Sequence, residues 1–217
     1  MSEQLGRDEA LAAVLGGIAH GLLRVFQIAA QAAAHAPTLA LRERQAGFAV
    51  EEFERYRVIR RRLGALTASP EDAVAHFRAA LDAFYDSVPP DGWLESMVFH
   101  YVGDTITADF AEIFSGYVDE RTAAAVREAL TGRGAHEAFA LEQIERARQI
   151  EPGAEDRIVA VARKVVGDAL NGVREAMLSS NTLEQVLGGP DALKELVLEV
   201  LGRHRERLER LGLDRLD

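Results

Sequence analysis

Apolar residues recur at helical spacing through most of the chain, and this pattern constrains the fold more than any other feature. The first ladder comprises Leu11, Leu15, Ile18, Leu22 and Phe26, which lie three or four residues apart and therefore share one face of an α-helix. Only six prolines interrupt the 217 residues, and proline ends helices because it has no amide hydrogen to donate. The pattern predicts an all-α protein.

The predicted helices are long and are bounded by proline and glycine. We place them at about residues 8–34, from beyond Pro37 to 66, 70–87, 93–117, 119–150, 155–179 and 191–211. Gly132 and Gly134 are expected to loosen the fifth helix, because a glycine inside a helix costs up to about 1 kcal/mol relative to alanine. The prediction is a single domain, 1–217, with a core bundle at about 8–150 and accessory helices at about 155–211.

The composition excludes several classes of site. The chain has no cysteine, so disulfides and zinc–thiolate sites are excluded. Its charged N-terminus does not resemble a signal peptide, and no apolar run approaches the roughly 20 residues that a membrane span needs. We therefore expect a cytoplasmic protein that does not associate with membranes.

The charge balance argues against a protein that binds mainly to phosphates. The net charge is −10, whereas phosphate contacts rely on clustered lysine and arginine. One basic run stands out, namely Arg55, Arg57, Arg60, Arg61 and Arg62. We interpret it as a solvated helix face paired with nearby acids. A contact with nucleic acid or another anion is the alternative.

Several charged residues fall on the apolar faces of the predicted helices. Glu52 and Arg55 are three residues apart and share such a face, as do Arg133 and His136, and Asp104 lies within a similar stripe. Unpaired charges are costly to bury. These residues therefore predict one shared polar cluster inside the bundle.

Five short stretches carry a resemblance to a known family. In chain order they are His35-Ala36-Pro37-Thr38-Leu39, Asp91-Gly92-Trp93-Leu94-Glu95, Tyr101-Val102-Gly103-Asp104, Ala108-Asp109-Phe110 and Arg207-Leu208-Glu209-Arg210-Leu211-Gly212-Leu213. By these stretches the chain resembles the ferritin-like family related to the bacterial tRNA hydroxylase (MiaE-like), in its actinobacterial branch. The resemblance implies a ferritin-like four-helix bundle with additional C-terminal helices. It also implies a di-iron enzyme that hydroxylates a modified adenosine beside the anticodon of tRNA.

The iron ligands that the family implies are incomplete in this chain. Such centres take a carboxylate from each of two helices and a carboxylate-x-x-His pair from each of the other two, yet no Glu-x-x-His or Asp-x-x-His occurs here. Position by position, the resemblance places the six ligands at Leu22, Glu52 with Arg55, Asp104 (with Asp109 as a second choice), and Arg133 with His136. Ligand-like residues are retained at Glu52, Asp104 and His136 and are replaced at Leu22, Arg55 and Arg133.

A charge count bears on whether iron is bound. Two carboxylates and two arginines already make the site neutral, so two Fe²⁺ ions would add four uncompensated positive charges. Arginine cannot lose its proton and cannot become a ligand. We predict that Glu52 pairs with Arg55, or that arginines pair with carboxylates across helices, where the irons would lie. Leu22 then extends the core, and the expected cofactor is none. The alternative cofactor is iron, as one or two ions.

Two functions remain open at this point. One is a non-catalytic role in binding, assembly or regulation, with a protein or small molecule as the unidentified partner. The other is an iron-dependent hydroxylase or oxidase with an unusual metal site, and nucleic acid enters as a partner only through the resemblance. A shift of helix register would bring other residues inward, namely Glu51, Glu54, Glu137, His20 or His100. The last helix is expected to pack on the bundle, with a homodimer contact as the alternative.

Overall fold

A computed structural model describes residues 6–87, 91–179 and 181–213, with no account of the side chains at 169–179. Over these residues the chain forms helices and no strand. The α-helices are α1 (Arg7–His35), α2 (Leu39–Gly64), α3 (Pro70–Ser87), α4 (Trp93–Phe99), α5 (Thr105–Phe114), α6 (Glu120–Leu130), α7 (Gly134–Ile150), α8 (Ala154–Ser179), α9 (Thr182–Leu187) and α10 (Pro190–Arg210). The predicted all-α class is confirmed.

Four long rods form the bundle that the sequence predicts. They are α1, α2, the α4–α5 segment and the α6–α7 segment, and α1 packs along α2 while α2 packs against α6 and α4 against α7. The apolar ladder of α1 lies inside, where Leu15, Ile18 and Leu22 are almost fully buried. Thr38 begins α2 by accepting a hydrogen bond from the amide of Leu41, as a helix N-cap does. The remaining helices pack around these rods.

The first helix, α1, is long and apolar enough to cross a membrane by length and composition, so the expectation that no apolar run approaches a span is wrong for α1. About two-thirds of its most apolar stretch is buried inside the protein. The central helix of a bundle has the same composition because it is surrounded by other helices. The apolar character of α1 is therefore weak evidence for a membrane span.

The third rod is interrupted where the sequence predicts a continuous helix. His100–Asp104 forms a π-helical turn between α4 and α5, and a 3-10 turn at Ser115–Tyr117 ends the rod. A π turn adds a residue to the regular α-helical hydrogen-bond ladder, and such turns recur at functional sites. The turn is buried along its whole length.

The fourth rod is also interrupted, more strongly than predicted. Instead of one loosened helix at 119–150, two helices meet at a break, where Gly132 adopts φ of +76°. That backbone conformation favours glycine because it places no Cβ against the preceding carbonyl. Asp119 caps the start of α6 by accepting hydrogen bonds from the amides of Arg121 and Thr122. The break lies at the level of the π turn.

The C-terminal helix α10 packs against α5, as expected. Arg207 on α10 forms a two-pronged ion pair with the buried Asp109 on α5, with Nη2 2.9 Å from Oδ1. Its Nε also lies 3.3 Å from Oε1 of Glu137. The sequence did not predict the short helix α9 that precedes α10.

Candidate functional site

Seven polar side chains from α2, the π turn and the start of α7 form one internal group, which we call the polar cluster. Its members are Gln45, Glu52, Arg55, His100, Asp104, Arg133 and His136. Six of them are at most 5% exposed, and Arg133 is half-buried. The cluster lies between the π turn of the third rod and the break of the fourth. The sequence-predicted convergence of inward charges is therefore present.

The predicted ion pair between Glu52 and Arg55 is at the centre of the cluster. Nη1 of Arg55 donates to Oε1 of Glu52 at 2.9 Å. The other prong of the guanidinium, Nη2, lies 3.4 Å from Oε2 of Glu51 and 3.4 Å from the backbone oxygen of Thr131. Thr131 follows the last residue of α6, where carbonyls have no partner in the helix. Arg55 thus neutralises a buried carboxylate and also caps the broken helix.

Arg133 contacts the third rod in a similar way. Its Nη2 donates to the backbone oxygen of Asp104, at the end of the π turn. The regular ladder of carbonyl hydrogen bonds is disturbed at such a turn. Each of the two arginines therefore binds a main-chain carbonyl at one of the two helix irregularities.

Two histidine rings lie next to each other in the cluster, with their planes tilted by 47°. The rings of His100 and His136 lie 4.6 Å apart between centroids, and His136 also stacks on Phe48 at 4.4 Å. Nδ1 of His100 donates to Oδ2 of Asp104, and Nδ1 of His136 lies 3.8 Å from Oε1 of Glu52. The Nε2 atoms of both rings are 3.4 Å from Nε2 of Gln45. Each imidazole therefore has a carboxylate on one side and the same amide on the other.

The electrostatics of the cluster keep Glu52 ionised. Burial alone would raise its pKa, but the interaction with His136 and the positive charges of Arg133 and Arg55 outweigh burial and lower the pKa to about 2. The pKa of His136 is lowered, chiefly because burial disfavours its charged form, although Glu52 works in the opposite direction. The geometry is that of a carboxylate already neutralised by guanidinium groups.

These residues do not fit the donor set of a two-iron centre. Arg55 and Arg133 cannot be ligands, and Leu22 is 2% exposed, has no donor atom and packs with the apolar core. One oxygen of Glu52 is bound by Arg55, and one of Asp104 by His100. Among the residues that the structure describes, no three His, Asp or Glu side chains are arranged to hold a metal ion.

Some polar atoms of the cluster have no hydrogen-bond partner among the described residues. They are Oε1 of Gln45, Oε2 of Glu52, Nε of Arg55, Oδ1 of Asp104 and Nη1 of Arg133. Buried polar groups are rarely left in this state, and bound water commonly satisfies them. Three acceptors and two donors are thus available inside the bundle for small polar molecules.

Sequence reasoning missed two members of the cluster. His100 lies four residues before Asp104 and Gln45 seven before Glu52, so each spacing places the pair on one helix face. Those spacings were the signals that could have identified them. From the sequence alone, His100 is expected to lie inward only through a shift of helix register.

The other candidates lie outside the cluster. Asp109 pairs with Arg207, and His20 pairs with Asp82 of α3 through Nε2 and Oδ1 at 2.7 Å. Glu51 and Glu54 are exposed surface acids, and Glu137 is half-buried near Arg207. The helices therefore adopt the register in which Glu52, Asp104 and His136 point inward and their side chains lie in one cluster.

Four helical rods around an internal polar cluster define a ferritin-like bundle. The sequence model of a family described as "Ferritin-like domain, actinomycetes" matches residues 6–190. The chain belongs to this family. A search of curated proteins finds no match to the chain.

Proposed function

We propose that this protein is a ferritin-like bundle without a two-iron centre, which acts by binding a partner rather than by oxygen chemistry. The observation that carries the proposal is the guanidinium of Arg55 at a ligand position, 2.9 Å from the carboxylate of Glu52. A carboxylate held by arginine is a poor metal ligand because the metal must displace a paired, buried charge. The polar cluster then has a structural role, joining α2 to the two interrupted rods.

The activity of the tRNA hydroxylase that the chain resembles has little support in these residues. A hydroxylase of that kind needs iron and a surface that accepts nucleic acid. Two of the six ligand positions carry arginine, and four arginines of the basic run pair with acids, namely Arg55, Arg57, Arg60 and Arg62. These residues best support a binding protein for a small molecule or another protein, and we propose a cytoplasmic location for it.

Metal analysis of the full-length protein, expressed in iron-rich medium, tests the proposal. We expect iron far below one atom per chain in the purified protein. Near-stoichiometric iron would overturn the proposal and would favour the alternative, an iron-dependent hydroxylase or oxidase with an unusual site. A Glu52→Gln variant then decides whether that iron is bound in the polar cluster, since the substitution removes the carboxylate and preserves its shape.

A reconstruction experiment tests the assignment of the ligand positions. The variant Leu22→Glu, Arg55→His and Arg133→Glu restores all three replaced ligands, whereas the control Leu39→Glu, Arg57→His and Arg61→Glu makes the same changes at exposed positions. We expect iron in the first variant only. Iron in neither variant would contradict the assignment of these positions to a lost site.

A further inference from the structure

A cavity of about 210 Å³ lies between α1, α3, α5, α9 and α10, away from the polar cluster. We propose that this cavity is a binding site for a small apolar molecule, a hydrocarbon group of about eight to ten carbon atoms. For scale, an apolar cavity of about 150 Å³ in another protein binds benzene. The proposal gives a ligand class to the binding role proposed above and in that respect rests on it.

The lining of the cavity determines the chemistry of the ligand. Phe77, Leu81 and Phe84 of α3 face Leu196 and Val200 of α10 across it. Among the lining residues that the structure describes, Thr107 is the one polar side chain, and its hydroxyl is 3.1 Å from the hydroxyl of Tyr85. A buried water needs roughly two to four polar partners. Hydrocarbon therefore suits this cavity better than water or a charged ligand.

The α3 wall is fixed by its contacts with α1. A Cβ added to Gly16 would lie 2.5 Å from the backbone of Ala73, so α1 and α3 touch closely there. The pair between His20 and Asp82, at 2.7 Å, and the pair between Arg24 and Asp86 hold the same two helices. None of these residues lines the cavity, so the contacts hold α3 against α1 whether or not a ligand is bound.

The opposite wall is fixed in the same manner. Arg207 pairs with the buried Asp109, and Arg203 lies 3.1 Å from Glu112, so α10 is attached to α5 by charged contacts. The cavity is therefore preformed, which reduces the free energy lost in ordering the site on binding. Leu201 lines the cavity and is 36% exposed, so we place the entrance on the α10 side.

The volume selects a small molecule over a helix from a partner protein. One turn of helix with its side chains is about 5 Å long and 10 Å wide, whereas this cavity is only about 1.4 times the volume of one that holds a single benzene. A single hydrocarbon group fits the space without displacing α3 or α10. The same chemistry is offered by a free alkylbenzene and by the tail of a medium-chain fatty acid.

Calorimetric titration of the full-length protein with n-butylbenzene and with octanoate tests the proposal. We expect one molecule of butylbenzene per chain and a negative heat-capacity change, the signature of apolar burial. Octanoate binding at the same stoichiometry would identify the fatty-acid tail as a source, with its carboxylate at the entrance. Failure of both probes to bind would overturn the proposal.

Two matched variants place the binding in the cavity. Ala80→Leu fills the cavity, and Ala79→Leu makes the same change at the neighbouring exposed position. We expect Ala80→Leu to weaken butylbenzene binding at least about tenfold, equivalent to 1.4 kcal/mol, and Ala79→Leu to leave it unchanged. Equal affinities in both variants would overturn the proposal.

A third variant covers the case in which Ala80→Leu does not fold. Leu81→Ala enlarges the cavity, and we expect it to bind hexylbenzene more tightly than the wild type does. If Leu81→Ala binds butylbenzene and hexylbenzene with the same relative affinities as the wild type, the cavity is not the binding site. These results are independent of the iron analysis, so the failure of one proposal is distinguishable from the failure of the other.

Discussion

At the scale of single residues, Glu52 has the most unusual environment. It is 1% exposed, yet its pKa is lowered to about 2 because the interaction with His136 and the charges of Arg133 and Arg55 outweigh the effect of burial. A carboxylate whose pKa is lower in the folded state stabilises the fold above its ordinary pKa of 4.5. That contribution is lost as the pH falls from about 4.5 through about 2.

Removal of the partner of Glu52 is expected to destabilise the protein. Arg55→Met leaves a buried carboxylate without its ion pair, which costs about 3–5 kcal/mol. The control Arg57→Met removes an exposed arginine that also pairs with a glutamate three residues before it, and there we expect less than about 1 kcal/mol. Chemical denaturation at neutral pH measures both changes. Equal losses in the two variants would contradict the role assigned to Arg55.

His204 on α10 is expected to make stability depend on pH. Its pKa is lowered to about 4 because burial and the charge of Arg207 disfavour the protonated ring, with Asp109 acting in the opposite sense. The unfolded chain therefore binds the proton more readily than the folded one, and His204 reduces stability as the pH falls from about 6.5 to 4. The full effect is about 3 kcal/mol.

Denaturation curves at pH 7 and pH 4.5 check this expectation. The variant His204→Leu should lose less stability between the two pH values than the wild type does. The control His35→Leu changes an exposed histidine and should follow the wild type. If the wild type and His204→Leu lose the same free energy of unfolding between pH 7 and pH 4.5, His204 is not the titrating group.

At the scale of helices, the two interruptions could be predicted only in part. Gly132 and Gly134 indicated a weak point in the fourth rod, and the structure has a break there because Gly132 adopts a left-handed conformation. The π turn at His100–Asp104 has no comparable signal. All five of its residues are buried among other helices, and the periodicity of one helix does not encode that packing.

The contact between α1 and α3 is expected to depend on glycine. A Cβ at Gly16 would lie 2.5 Å from backbone atoms of Ala73, so Gly16→Ala should lower the free energy of unfolding by about 1–3 kcal/mol. A Cβ added to Gly47 on α2 would have no atom within 4 Å. Gly47→Ala should therefore raise stability by up to about 1 kcal/mol.

Thermal unfolding of the two alanine variants distinguishes them. A lower melting temperature for Gly16→Ala together with a higher one for Gly47→Ala is the expected pair of results. Stabilisation by both substitutions would mean that helix propensity alone determines the outcome and that α1 and α3 do not touch at Gly16.

At the scale of the whole molecule, the sequence predicts the bundle and the existence of its inner charges. The long apolar ladders and the spacing of Glu52 and Arg55 depend on local geometry, and both are found in the structure. The cavity is different in kind. It depends on the separation of α3 and α10, which are more than 100 residues apart in the chain, and no local pattern records that distance.

The surface charge leads to a prediction about nucleic acid. With a net charge of −10, we expect no binding to unfractionated tRNA tighter than about 10⁻⁴ M at physiological salt. Filter binding over a range of salt concentrations measures it. Micromolar binding that weakens steeply with salt would contradict this prediction. If that binding is also lost in the double variant Arg57→Glu, Arg61→Glu, the basic run is a nucleic-acid contact, as in the alternative interpretation.

The contacts of Arg55 and Arg133 with the carbonyls of Thr131 and Asp104 make both arginines difficult to replace one at a time. Replacement of either arginine by a shorter residue would leave one main-chain oxygen without its partner, whereas a regular helix in place of the turn or the break would leave the arginine without one. Each single change therefore gives a less stable chain. The two arginines and the two helix irregularities depend on each other, so the interior tolerates a joint change more readily than a single one.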